Sequence, residues 1–176
     1  MTTDPYGQWM GTPMDDDDID DLLGAAGWGI LSLADGDEPY SIPISFGYDD
    51  EEIYFALIRA DPPNRKFEFI TDGATARLLV TDIRAKYDWR SVAVTGSVRA
   101  IERTDDLGGE GLLPEVDRKP DQTTERSDGW GVLLDILEEN PWFSSEYERA
   151  EPVAALQGWR LEADDIRGVE VNAEGE

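Results

Sequence analysis

The chain contains neither cysteine nor histidine, and only three of its 176 residues are lysine: Lys66, Lys86 and Lys119. Without cysteine there is no disulfide, no thiolate nucleophile, no zinc finger and no iron–sulfur cluster. Without histidine there is no Ser-His-Asp triad, no imidazole base and no imidazole-ligated metal. Long apolar runs are missing too, since none approaches the roughly 18 residues of a membrane-spanning helix. The opening stretch, MTTDPYGQWMGTPMDDDD, has no basic start and no apolar segment, so it does not read as a signal peptide. A cytoplasmic protein away from membranes is expected.

Acid is what the chain has in excess. It carries 40 Asp and Glu against 15 Lys and Arg, a formal charge of −25. A surface this negative repels phosphate backbones, so no nucleic-acid partner is expected. At molar salt the screening length falls to about 3 Å, and dense carboxylates then keep a protein hydrated and dispersed. With lysine so scarce, the composition resembles that of cytoplasmic proteins from salt-in halophiles. The acids are scattered along the chain rather than patterned for a partner, as a nucleic-acid mimic would need. The run Asp15, Asp16, Asp17, Asp18 could suggest a calcium loop, but the glycine and terminal glutamate at loop spacing are absent. No metal site is expected.

One domain is expected at this length. Residues 1–17 read as a flexible arm, although the acids from Asp15 also suit the first turn of a short helix through Leu23, ended by Gly24 and Gly27. Residues 28–33, 40–46, 52–58, 75–82 and 91–101 are apolar or alternating runs joined by short turns such as ADGDEP and GYDDE, and they predict strands. Residues 65–71 predict a short helix capped by Asn64. Residues 153–162 predict a sixth strand, residues 163–167 a turn, and residues 168–171 a short tail strand. The prediction is a mainly β protein with a few peripheral α-helices, its antiparallel sheet closing toward a barrel or a sandwich. The domain spans 18–171, residues 103–152 form an insertion holding a helix over 129–139 that stops at Asn140-Pro141, and 172–176 is a tail.

The charge inverts locally. Nine cations fall between Arg59 and Arg103, against six acids, so this quarter of the chain carries +3 while the remainder carries −28. A bound anion accounts for such a concentration, and arginine offers phosphate two donors at once. The plainer account is pairing with surface carboxylates. No GxxxxGK[ST] loop is present to hold a nucleotide, and Gly27-Trp28-Gly29 lacks the third glycine of a dinucleotide fingerprint. With forty acids, no carboxylate pair stands out for glycosidase-type chemistry.

The order of several short pieces resembles the pyridoxamine 5′-phosphate oxidase-like superfamily of flavin-binding split β-barrels. These are Gly29-Ile30-Leu31-Ser32-Leu33, then Tyr40-Ser41-Ile42-Pro43-Ile44-Ser45-Phe46-Gly47-Tyr48, then Ile53-Tyr54-Phe55. Asn64-Arg65-Lys66, the strand 76–81, and Asp88-Trp89-Arg90-Ser91-Val92-Ala93-Val94-Thr95-Gly96 follow, and Trp159-Arg160-Leu161-Glu162 with Ile166-Arg167-Gly168 closes the set. The likeness covers residues 18–102 and 153–171, and is nearest the nitroimidazole-resistance-like branch, seen also in halophilic archaea.

The resemblance implies a six-stranded antiparallel split β-barrel with FMN at a homodimer interface. Arg65 and Lys66 match the family's phosphate-binding basic pair, Arg90 and Ser91 match positions facing the phosphate or ribityl chain, and Pro43, Ile44, Ser45 and Phe46 match the strand edging the isoalloxazine. The family commonly has a histidine or small residue after its Ile-Tyr-Phe strand, and a glycine before the basic pair. Here Ala56-Leu57-Ile58-Arg59 and Pro62-Pro63 stand instead, so Arg59 joins the expected anion contacts. Trp159-Arg160 only superficially matches the C-terminal signature of the true oxidases, so pyridoxal phosphate synthesis is not expected. The implied activity is an FMN-dependent oxidoreductase taking electrons from a reduced nicotinamide to a small acceptor. The alternatives are a deazaflavin-dependent reductase of the same fold and a non-catalytic flavin-binding or sensor module. No side chain is singled out as catalytic.

Overall fold

The alternation of apolar and polar residues that marks the strands in sequence also closes them on one another. The computed structural model describes residues 11–49, 51–59, 64–101, 131, 133, 135, 140 and 156–172. In chain order these form β1 (Thr12–Pro13), α1 (Asp16–Ala26), β2 (Trp28–Asp35), β3 (Glu38–Asp49), β4 (Glu52–Ile58), α2 (Lys66–Phe69), β5 (Thr75–Ala85), β6 (Asp88–Ile101) and β7 (Leu156–Val171). The sheet order is β1-β7-β4-β3-β2-β5-β6, and a further β7–β6 pairing closes six of the strands into an antiparallel barrel. The mainly β, six-stranded antiparallel barrel predicted above is therefore present, with β1 added at the edge of β7.

Every second side chain points inward. Leu31 and Leu33 of β2, Ile44 and Phe46 of β3, Ile53 and Phe55 of β4, and Val92, Val94 and Val98 of β6 share one buried core. Helices close its two ends. In α1, Asp15 accepts the Asp18 backbone N–H at 2.9 Å, three aspartates occupy the first turn, and Gly27 ends the helix at φ 67°. Ile19, Leu22 and Leu23, at i, i+3 and i+4, enter the core, and the Tyr48 hydroxyl donates to Asp20 at 2.6 Å. At the opposite end α2 buries Phe69, and Tyr40 stacks on that ring at 4.6 Å between centroids.

Four expectations need correction. The arm does not extend to residue 17, because Thr12 and Pro13 pair with Glu170 and Val169, and Met14 is buried. Residues 1–10 lie outside the described set. Gly24 lies inside α1 rather than ending it. Arg65, not Asn64, precedes α2, and it makes no side-chain cap bond. The predicted turn over 163–167 is absent, since β7 runs unbroken for 16 residues. Its register against β6 slips there, Thr95 facing Asp165 and Gly96 facing Ala163, which leaves Asp164 as a bulge.

The chain crosses closely at that bulge: a Cβ on Gly96 would lie 1.8 Å from the Glu162 carbonyl oxygen. Residues 102–130 and 141–155, most of the expected insertion, lie outside the described residues, as does the tail from 173. Within the expected helix, Gly131, Leu133 and Asp135 are helical, and Leu133 is fully buried. Asn140 is buried as well, and its Nδ2 donates to the carbonyls of Gly27 at 2.9 Å and Phe46 at 3.1 Å.

Candidate functional site

The chain leaves β4 at Arg59 and re-enters regular structure at α2, bringing three cations to one end of the barrel. The Arg59 guanidinium lies 4.6 Å from the centre of the Phe67 ring, and the Lys66 ammonium lies 5.6 Å from the same centre. Arg65 turns the other way. It sits 5.5 Å from the Phe69 ring and pairs with Glu38 at the β2–β3 hairpin. Adjacent in sequence, Arg65 and Lys66 thus have different electrostatic surroundings.

Arg59 and Lys66 have no carboxylate within ion-pair distance among the described residues, whereas Arg65, Arg84, Arg90, Arg99, Arg160 and Arg167 each have at least one. Lys66 is half-buried, and that burial alone pushes its ammonium below the ordinary lysine pKa. Two cations meet on one aromatic ring, one of them partly desolvated, with no acid of the described residues to take up their charge. An oxyanion such as phosphate supplies the matching charge and acceptors.

The remaining sequence-predicted residues fall elsewhere. Arg90 projects from the inward side of β6 beside Asp82, with Nη2 at 3.2 Å from Oδ2, and its Nε is buried without a hydrogen-bond partner among the described residues. The hydrogen bond from Arg90, joined by one from Arg84, holds the Asp82 carboxyl below its usual pKa. Ser91 points to the outer face, as alternation requires. The Asp82–Arg90 rung is seven residues along β5 from the Thr75–Ser97 rung near α2. That separation is about 23 Å at 3.3 Å per residue.

The β3 set divides by face. Ile44 and Phe46 are buried core side chains, while Pro43 and Ser45 face outward. Only Pro43 and Ser45 can present side chains to a ligand on the outer surface. That surface also exposes large apolar groups: Trp28 at 45%, Leu79 at 40% and Ile83 at 74%. Three contributors went unmarked as site residues in the sequence. Phe67 is a ring carrying two cations, Asn140 ties the segment beyond the barrel to Gly27 and Phe46, and Arg77 stands on the outer face of β5. The surplus of cations between Arg59 and Arg103 was the signal for Arg77, but only strand register gives it neighbours.

The closed six-stranded barrel defines a β-barrel protein, and at one end of it Arg59 and Lys66 have no carboxylate within ion-pair distance among the described residues. Residues 15–128 match the family model described as pyridoxamine 5′-phosphate oxidase, and the chain belongs to that family. Among solved structures it is similar to an FAD-binding protein from Mesorhizobium loti, with 19% identity and a TM-score of 0.61, covering 92% of this chain and 98% of that one. An FAD-binding protein from Mycobacterium smegmatis is similar at 16% identity and a TM-score of 0.53, covering 91% and 98%. A candidate 5-nitroimidazole antibiotic resistance protein from Bacteroides thetaiotaomicron follows at 15% identity and a TM-score of 0.55, covering 89% and 85%. At these identities the likeness speaks for the fold. No curated protein matches the sequence.

Proposed function

We propose that the protein binds a flavin nucleotide, FMN, between two copies of itself and acts as an oxidoreductase. Electrons would pass from a reduced nicotinamide to a small acceptor, as in the nitroimidazole-resistance-like branch. The observation that carries this reading is the Arg59–Lys66 pair on Phe67, free of carboxylates among the described residues in a chain of charge −25. Membership of the family and the FAD-binding descriptions of two similar structures support it.

Arg59 and Lys66 would hold the phosphate, and Arg65 would add less because Glu38 already shares its charge. Bound flavin supplies hydride and single-electron chemistry that no side chain of this chain can supply. The protein's part is to bind, orient and exclude water. Ser91, on the rung with Thr81, lies about 20 Å along the barrel from α2 and would reach a nucleotide held there only from a second copy. The exposed Trp28, Leu79 and Ile83 give that copy an apolar face to cover. FAD is the second reading, because two similar structures are described as binding it and the same cations suit a pyrophosphate.

Fluorescence titration of the protein with FMN, FAD and riboflavin, at fixed molar salt, tests the site. FMN or FAD should bind at least tenfold more tightly than riboflavin, which lacks the phosphate. Equal affinity for riboflavin, or no binding of any of the three, contradicts the reading. Oxidation of a reduced nicotinamide by the flavin-loaded protein tests the oxidoreductase half. Tight binding without turnover would leave a flavin carrier or sensor.

A further inference from the structure

The turn that follows α2 takes over where β5 stops. The β5–β6 ladder begins at the Thr75–Ser97 rung, while β6 continues to Ile101 with β7 on its other edge. Beyond Ser97 the β5-side edge of β6 is met by residues 72–74. Gly73 N–H donates to the Val98 carbonyl at 2.8 Å, Val98 N–H to the Ala74 carbonyl at 2.9 Å, and Ala100 N–H to Asp72 Oδ1 at 2.9 Å. Val98 and Ala100 are alternate residues, so the Asp72 carboxylate stands where the next carbonyl of a neighbouring strand would stand. The turn closes through Ala74 N–H to the Thr71 carbonyl at 2.9 Å, with Gly73 at φ 82° in the position that demands a positive angle.

This staple lies six residues after Lys66. A four-residue helix has no stability of its own, and Arg65 gives α2 no side-chain cap bond. Its place therefore depends on what it is attached to. Phe69 and Ile70 are buried in the core and fix where α2 lies. The stapled turn fixes the direction in which α2 runs from there, and with it the heading of Lys66 and Phe67. The charge of Asp72 is the lesser part of its work. Arg99 Nη1 lies 3.8 Å from Asp72, but Arg99 Nε is already 3.2 Å from Glu162. The Asp72 side chain is 63% exposed, where such a pair contributes little. What Asp72 supplies is an acceptor at a fixed point.

We infer that Asp72 is a positioning residue for the anion site at α2: by stapling the turn to Ala100 it holds Lys66 and Phe67 where Arg59 meets them. The inference rests on the reading of that site as the one that takes the flavin phosphate. Asp72 acts through α2 and does not touch the ligand. Its role has a diagnostic sign. A carboxylate near a phosphate opposes binding by repulsion, so an acid whose removal weakens phosphate binding acts through geometry.

Fluorescence titration of the full chain with FMN and riboflavin at fixed molar salt tests the inference, with thermal melts to establish that each variant is folded at the titration temperature. Asp72→Ala should weaken FMN about threefold or more, the range of one lost hydrogen bond, and leave riboflavin unchanged. Asp72→Asn keeps an acceptor oxygen and removes the charge, and it should hold FMN within about twofold of wild type. Gly73→Ala strains the same turn without altering the carboxylate, and should reproduce the loss. FMN held by Asp72→Ala as tightly as by wild type, or more tightly as charge alone requires, overturns the inference. So does an Asp72→Asn variant no better than Asp72→Ala. An equal loss of riboflavin, which would mark a general loosening of the fold, overturns it too. A wild type that prefers FMN no more than riboflavin contradicts the phosphate reading itself, and the inference with it, before any variant is compared.

Discussion

Arg59 and Lys66 share one aromatic ring, that of Phe67, the guanidinium 4.6 Å and the ammonium 5.6 Å from its centre. Their neighbour Arg65 is held apart by Glu38. Of the basic pair suggested by sequence, Arg65 is paired with Glu38, while Lys66 shares Phe67 with Arg59 and has no carboxylate partner among the described residues.

Substitution should separate these roles. Lys66→Ala and Arg59→Ala should each weaken FMN about tenfold or more, the range for a lost hydrogen bond to a charged group. Arg65→Ala should cost less than either. Riboflavin titration of the same variants is the control, and its affinity should not move.

The Asp82–Arg90 pair makes a prediction about pH. Hydrogen bonding from Arg90 holds the Asp82 carboxyl below its unfolded pKa of about 3.9. A depressed folded pKa contributes stability that is present above that unfolded value and lost as pH falls through the folded one. Asp82→Asn should therefore lower Tm at neutral pH, where it leaves Arg90 without its carboxylate, at a cost of about 1–2 kcal/mol. The gap from wild type should shrink as the pH is taken below about 4. Thermal melts across that range read both effects.

Two glycines predict opposite signs. Gly96→Ala would drive a Cβ to 1.8 Å from the Glu162 carbonyl oxygen at the bulge, and the barrel cannot yield there without parting β6 from β7. The expected loss exceeds about 3 kcal/mol. Gly24→Ala, inside α1 with nothing within 4 Å of the new Cβ, should stabilise by about 0.5–1 kcal/mol. Chemical denaturation of both variants checks the contrast.

Charge predicts a dependence on salt. At −25 the folded chain repels itself, and screening should relieve that repulsion. Tm should climb as potassium chloride is raised toward molar concentration. A flat profile would contradict the reading of the composition as an adaptation to salt.

What could be read from the sequence follows from what each signal depends on. Residues 91–101 alternate cleanly, because β6 is core on one side and outer surface on the other, so the strand was legible. β7 was not legible as one strand, since the bulge at Asp164 breaks the alternation amid two consecutive aspartates. Two-residue β1 is below the length at which a pattern exists. In the candidate site, the surplus of cations was visible, but which of them lack acids was not, because Glu38 reaches Arg65 across 27 residues. Likewise, Asp72 meets the Ala100 N–H across 28 residues, a contact that no local pattern marks.

The central claim is that this barrel carries a flavin nucleotide. An absorbance spectrum of the protein purified in molar salt, followed by a scan of the supernatant after heat release, tests it most directly. The account predicts the two absorption bands of an oxidised flavin, moving into the supernatant as FMN or FAD. A colourless protein that also fails to take up added FMN or FAD would contradict it.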